Sequence, residues 1–173
     1  MKKGLLIVNT GTGKGKTTAS LGTLIRAWGH GMNVVMIQFI KNENAHFGEI
    51  KAARKIGISW HITGGGFVMP GGDPKEAIEK AEKGWSLAQE IISSGEYDLV
   101  VLDEFTYPLN YGWLDTKKVL SWIEENKPES MHLIITGRYA PEELIEMADM
   151  VNEVTSIKHP FDKGIKAQIG IEY

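Results

Sequence analysis

Apolar and polar positions along this chain fall into blocks whose period keeps changing. Short apolar runs stand at Leu5-Leu6-Ile7-Val8, Val34-Val35-Met36-Ile37-Gln38-Phe39, Leu99-Val100-Val101-Leu102 and Met131-His132-Leu133-Ile134-Ile135-Thr136. Brief runs rich in Val, Ile and Leu predict strands covered on both faces. Ile58-Ser59-Trp60-His61-Ile62 alternates and predicts a shorter strand, and Val151 to Ile157 predicts another. Helical spacing fills the intervals. One helix runs from Ala19 to His30. A second begins at Asp73-Pro74-Lys75-Glu76, with Asp73 as N-cap, Pro74 at the first position and Glu76 at the third, and ends near Ser94 with Gly95 as C-terminal cap. Asp115 caps a third helix that stops at about Asn126, before Pro128. Pro141-Glu142-Glu143 opens a fourth, with acids in its first turn as the helix dipole favours. Strands alternating with helices imply an α/β fold, a mostly parallel sheet with helices on both faces, and ligands at the C-terminal ends of the strands.

The first strand runs into Thr10-Gly11-Thr12-Gly13-Lys14-Gly15-Lys16-Thr17-Thr18, which in turn opens the first helix. Strand, glycine-rich turn, Gly-Lys-Thr and helix form the layout of a phosphate-binding loop. Glycines let backbone N–H groups curl toward an anion, and the helix N-terminus adds the positive end of its dipole. Lys16 then reaches phosphate oxygens and the Thr17 hydroxyl reaches Mg²⁺. The general motif places a glycine five residues before Gly15-Lys16, where this chain has Thr10, so the loop is one residue tighter. It also carries a second lysine, Lys14. The expected fold is therefore P-loop NTPase-like (RecA-like). Without a ligand, the same stretch would read as a Gly/Lys-rich surface turn.

Asp103-Glu104 directly follows an apolar strand and so sits at the ligand edge of the sheet, beside the phosphate loop if the two strands are neighbours. Either carboxylate suits Mg²⁺, directly or through water; the alternative is an acid in a turn. Arg138 follows a strand end at Thr136-Gly137, a ligand-side position. Arg26, nine residues after Thr17, reads equally as a nucleotide contact or a solvated arginine. His159 reads as polar core or loop anchor, since no second histidine stands at metal-ligand spacing.

Composition narrows the function classes. The 173 residues suit one domain spanning 1–173, with 42% hydrophobic and 24% charged residues. A net charge of −3 speaks against a dedicated nucleic-acid binder. The absence of cysteine excludes disulfides, thiol catalysis and thiolate metal sites. No apolar run is long enough for a membrane span, and Met1-Lys2-Lys3 leads straight into the first strand, so the expected compartment is the cytoplasm.

Several of these stretches together resemble the P-loop ATP:cob(I)alamin (corrinoid) adenosyltransferases. They are the tightened loop with its extra lysine, Arg26-Ala27-Trp28-Gly29-His30-Gly31, Val35 to Lys41, Leu102-Asp103-Glu104-Phe105-Thr106-Tyr107, Ile135-Thr136-Gly137-Arg138, and Val154 to Tyr173 with Lys158-His159-Pro160-Phe161-Asp162-Lys163-Gly164. The resemblance covers nearly the whole chain. It implies transfer of the 5′-deoxyadenosyl group of ATP to a Co(I) corrinoid with release of triphosphate, in adenosylcobalamin synthesis or salvage. It also implies an ATP lying reversed in the loop, an external electron donor for Co(II), and a homodimer. Lys16, Thr17 and Glu104 become the catalytic set, Mg²⁺ is held by Thr17 and Glu104, and Asp103 is a supporting or weaker ligand. Nucleotide and corrinoid contacts fall to Gly11, Thr12, Gly13, Lys14, Gly15, Lys16, Thr17, Thr18, Arg26, Phe67, Met69 and Arg138. The family's corrinoid loop often reads Gly-Phe-Thr-Trp; this chain has Gly66-Phe67-Val68-Met69, with Met69 in place of the tryptophan. Phe67 and Met69 would shield the lower face of the corrinoid; alternatively they fold back on the core. The helical extension that often precedes the first strand in the family has no counterpart before Met1-Lys2-Lys3-Gly4. A second reading is a P-loop ATPase or nucleotide-dependent switch acting on a protein partner, with Gln38 or Glu104 orienting the attacking water.

Overall fold

The computed structural model describes residues 3–42, 47–64 and 74–172. Among the described residues six strands form one sheet: β1 Leu6–Thr10, β2 Val34–Asn42, β3 Ser59–Gly64, β4 Leu99–Asp103, β5 His132–Thr136 and β6 Met150–Glu153. Their order is β3-β2-β4-β5-β1-β6, and every pairing is parallel. The helices are α1 Lys16–Gly29, α2 Gly48–Ile56, α3 Lys75–Ser94, α4 Thr106–Asn110, α5 Thr116–Asn126 and α6 Glu142–Met147. A 3-10 turn at Pro160–Lys163 lies in the C-terminal segment.

Strand residues alternate between two cores. Val35, Ile37, Val100, Leu102, Leu133 and Ile135 pack with Ala88, Ile91 and Ile92 of α3 and Val119, Leu120 and Ile123 of α5. Val34, Met36, Leu99, Val101 and Ile134 pack on the opposite face with Leu24 and Ala27 of α1 and Ala53 of α2. Both faces are dry, so the inner strands carry continuous apolar runs rather than an alternating pattern.

The expected alternation of elements holds, with corrected bounds. α1 starts at Lys16, inside the phosphate loop, because Gly15 at φ 115° supplies the sharp entry. The strand expected at Val151–Ile157 is Met150–Glu153, all four residues exposed, since β6 is an edge strand with one neighbour. β2 runs on to Asn42 and β3 to Gly64. Asp115 does cap α5, accepting from the Lys118 N–H at 3.1 Å. Pro74 is the residue before α3, while the expected cap Asp73 lies outside the described residues. The condition set for Asp103-Glu104, that its strand adjoin β1, is not met: β5 runs between β4 and β1.

Candidate active site

At their C-terminal ends the strands carry a polar row on the α1/α2 side of the sheet. Register places Gln38 opposite Asp103, and Asn9 opposite both Thr136 and Asn152. All of these but the edge residue Asn152 are buried, so each needs a partner. Trp60 Nε1 donates to Gln38 Oε1 at 3.0 Å, and Gln38 Nε2 donates to Asp103 Oδ2 at 2.9 Å. Thr136 Oγ1 donates to Asp103 Oδ1 at 2.8 Å and accepts from the Glu104 N–H at 2.9 Å. On the other side Asn9 Nδ2 donates to Ser20 Oγ at 2.8 Å, whose hydroxyl donates to the Lys16 carbonyl at 3.0 Å. Asn152 Nδ2 completes the row by donating to Asn9 Oδ1 at 2.9 Å.

The phosphate loop rests on this row. Gly11 at φ 99° and Gly15 at φ 115° make its turns. The Gly13 N–H donates to the Val154 carbonyl at 2.7 Å, and the Val154 N–H donates to the Thr10 carbonyl at 2.8 Å. The fit there is tight. A Cβ on Gly11 would lie 2.4 Å from the Val154 oxygen, and one on Gly13 would lie 2.8 Å from the Thr155 carbonyl. These two glycines are therefore fixed by the approach of the chain after β6, a requirement the loop motif alone does not carry. Lys16 is buried, and its ammonium donates to the carbonyls of Gly11 at 2.8 Å and Gly13 at 2.6 Å. Burial holds its pKa below the ordinary lysine value. The Arg138 guanidinium pushes the same way, and the carboxylates of Glu104 and Asp103 oppose it. Lys14 is half exposed and ion-paired with Glu172 of the C-terminal segment. Thr12 and Thr18 are exposed, and Thr17 is half-buried in the first turn of α1.

Glu104 sits just past β4 with φ 60°, an uncommon backbone conformation for a non-glycine residue, and its Oε2 is buried. Its field reaches both Lys16 and Tyr107, whose phenol is held above its ordinary pKa by burial first and by that carboxylate second. Arg138 is exposed, but its carbonyl is clamped by Thr106 Oγ1 at 2.7 Å and Asn110 Nδ2 at 3.0 Å. The Ala140 N–H donates to Thr10 Oγ1 at 3.1 Å, tying the Arg138 turn to the start of the phosphate loop.

Thus Lys16, Asp103, Glu104 and Arg138 converge around one end of the sheet, although β5 separates the strands that carry the loop and the acids. Arg26 is not brought there: it is exposed on α1, about 13 Å of helix rise beyond Thr17. Phe67 and Met69 lie outside the described residues. His159 is a loop anchor, its Nδ1 accepting from the Phe161 N–H at 3.1 Å. The sequence reading missed the supporting residues Asn9, Ser20, Trp60 and Thr136; Asn9 and Thr136 had as their signal a polar residue at the end of a buried apolar run, and Ser20 in α1 and Trp60 in β3 had none.

A sequence model of the family "ATP:corrinoid adenosyltransferase BtuR/CobO/CobP" matches residues 2–173. The chain belongs to this family. It is 41% identical to a corrinoid adenosyltransferase of Sinorhizobium sp, over 99% of this chain and 81% of that protein. Identity is 40% with the corrinoid adenosyltransferase of Pseudomonas aeruginosa, over 99% and 85% of the two chains, and 38% with that of Escherichia coli K12, over 99% and 87%. The flagellar accessory protein FlaH of Methanocaldococcus jannaschii superposes with a TM-score of 0.61 at 12% identity, over 88% of this chain and 72% of that one, a likeness of fold alone. As a corrinoid adenosyltransferase the chain is an enzyme acting on ATP and a corrinoid, with the P-loop NTPase-like fold its loop implied.

Proposed function

We propose that the chain transfers the 5′-deoxyadenosyl group of ATP to the cobalt of a Co(I) corrinoid and releases triphosphate. The ATP lies reversed in the loop, with its γ-phosphate where an α-phosphate is usually held. The carrying observation is the buried Lys16 of a glycine-lined loop, its ammonium held on the Gly11 and Gly13 carbonyls at the ligand edge of the sheet, within the electrostatic reach of Glu104 and Arg138. Cobalt supplies the electron pair for the new bond to C5′, and the broken C5′–O pair leaves on the triphosphate. Such a nucleophile needs no general base, so the protein's task is positioning and neutralising the leaving group. The loop N–H groups, Lys16 and Lys14 suit that task. Lys16 leaves the Gly11 and Gly13 carbonyls for phosphate oxygens, and Lys14 exchanges Glu172 for them.

The Thr17 hydroxyl and the Glu104 carboxylate fit Mg²⁺, a hard cation that takes one or two protein oxygens together with phosphates and water. Bound there, it would supply further charge neutralisation on the triphosphate. Asp103, with both oxygens engaged by Gln38 and Thr136, acts as a support for Glu104. The same network weighs against the hydrolase or switch reading. Gln38 is fully buried, with its amide nitrogen on Asp103 and its oxygen on Trp60, so it is not available to orient a water.

We also infer a homodimer and a cytoplasmic location. No described helix is long and apolar enough to cross a membrane. With no cysteine in the chain, reduction of Co(II) falls to an external donor. Incubating the protein with MgATP and a chemically prepared Co(I) corrinoid tests the reading. Stoichiometric triphosphate and adenosylcorrinoid are expected; ADP and phosphate would overturn it.

A further inference from the structure

The hydrogen bonds that end at Glu104 begin two strands away, on an edge strand that carries no part of the phosphate loop. Trp60 on β3, Gln38 on β2, Asp103 on β4 and Thr136 on β5 form an unbroken chain that finishes on the Glu104 backbone N–H. Its polarity admits one orientation. The indole can only donate, so the Gln38 oxygen must face it and the Gln38 amide nitrogen must face Asp103. The Asp103 carboxylate can only accept, so the Thr136 hydroxyl gives its proton to Asp103 and keeps its lone pair for the Glu104 N–H.

Gln38, Asp103 and Thr136 are fully buried, and leaving any of their polar atoms unmatched there is costly. The last link falls on a residue in the left-handed region, φ 60°, where a non-glycine backbone persists only if its surroundings over-determine it. A buried polar row could instead serve the core alone. Two observations speak for the site. The row lies at the ligand edge of the strands rather than mid-sheet, and it ends on a strained backbone whose own side chain is a candidate metal ligand.

We propose that Gln38 and Thr136 are positioning residues. Thr136 directly, and Gln38 through Asp103 and Thr136, hold Glu104 in its left-handed conformation and so set the site's affinity for a divalent cation, and Trp60 keys the edge strand β3 into the same chain. This inference rests on Glu104 as the metal ligand. Residues that orient ligands from behind commonly change metal affinity 10- to 100-fold when replaced.

The test measures Mn²⁺ binding by electron paramagnetic resonance with ATP present and corrinoid absent, beside circular dichroism and thermal unfolding of each variant. Thr136→Val, which keeps the shape and removes the hydroxyl, is expected to weaken Mn²⁺ binding about tenfold or more, and Gln38→Met by a similar factor. Thr136→Ser, which keeps the hydroxyl, should stay within about twofold of wild type, as should metal-free ATP binding in all three. Folded Thr136→Val with wild-type Mn²⁺ affinity overturns the proposal, as does an equal loss in Thr136→Ser. If Thr136→Val does not fold, Gln38→Met and Trp60→Phe carry the comparison, and unchanged Mn²⁺ affinity in both overturns it equally. A Glu104→Gln control separates the two levels. If Glu104→Gln itself binds Mn²⁺ normally, the metal assignment fails; if only Glu104→Gln binds it weakly, the positioning role alone fails.

Discussion

Lys16 concentrates the conflict between stability and function in one side chain. Its ammonium is buried and satisfied by two loop carbonyls, and its pKa is lowered mainly by that burial. Lys16→Ala and Thr17→Ala each remove a group aimed at the leaving triphosphate, so kcat should fall by about 10²–10³-fold, with near-native circular dichroism. Wild-type turnover at saturating MgATP in either variant would refute the loop assignment. The pKa shift makes a separate stability prediction. Because the folded value lies below 10.5, the unfolded chain binds more protons in the interval between the two values. Wild-type stability relative to Lys16→Met should therefore rise with pH across that interval, as denaturant midpoints from neutral pH upward will register. The two acids are separable in the same way. Glu104→Gln should raise the Mg²⁺ concentration needed for half-maximal activity, whereas Asp103→Asn, which unbalances a buried hub, should cost about 1–3 kcal/mol of stability. A metal shift confined to Asp103→Asn would mean that the two roles are exchanged.

The turns between elements decide whether these side chains meet. Gly137 has φ 145°, and a Cβ there would stand 2.0 Å from Thr106 Oγ1, the hydroxyl that clamps the Arg138 carbonyl. Gly137→Ala should thus destabilise the fold by more than about 1 kcal/mol and weaken ATP binding, whereas Asn110→Ala, which removes the second clamp, should affect ATP binding alone and mildly. Equal ATP affinity in Gly137→Ala and wild type would detach Arg138 from the nucleotide. The C-terminal segment meets the loop through Lys14 and Glu172. Lys14 is half exposed, and such pairs contribute about 0–1 kcal/mol, so Glu172→Gln should tighten ATP binding by no more than about fivefold, with the difference vanishing in high salt. A weaker ATP complex in Glu172→Gln would instead make the carboxylate part of the closed site.

At the scale of the molecule, the proposed reaction draws on different parts of the sheet. The loop and β1 lie toward one edge, while β3, which leads to the stretch holding Phe67 and Met69, is the opposite edge strand. If that stretch shields the corrinoid's lower face, Phe67→Ala should lose transfer from Co(II) with a mild reductant and lose much less from preformed Co(I). Equal loss from both would assign Phe67 to general binding.

The elements were legible because each rests on local chemistry: dry apolar runs for strands, Asp115 and Gly95 as caps, Gly15 as the loop's exit. The placement of the phosphate loop, Glu104 and Arg138 was legible for the same reason, since each stands within two residues of a strand end and strand ends define the ligand edge. The helices at Gly48–Ile56 and Thr106–Asn110 were not foreseen, being short and held by packing more than by propensity. What only the tertiary structure decided was adjacency. No local pattern states that β5 lies between β1 and β4, that Val154 presses on Gly11, or that Gln38 faces Asp103, because strand order and register arise from long-range pairing. The sequence alone therefore determined which polar groups stand at the ligand edge, through the local rules of turns and strand ends; the fold decided which buried neighbours hold them in place, because a hydrogen bond in a dry core exists only where pairing brings donor and acceptor together.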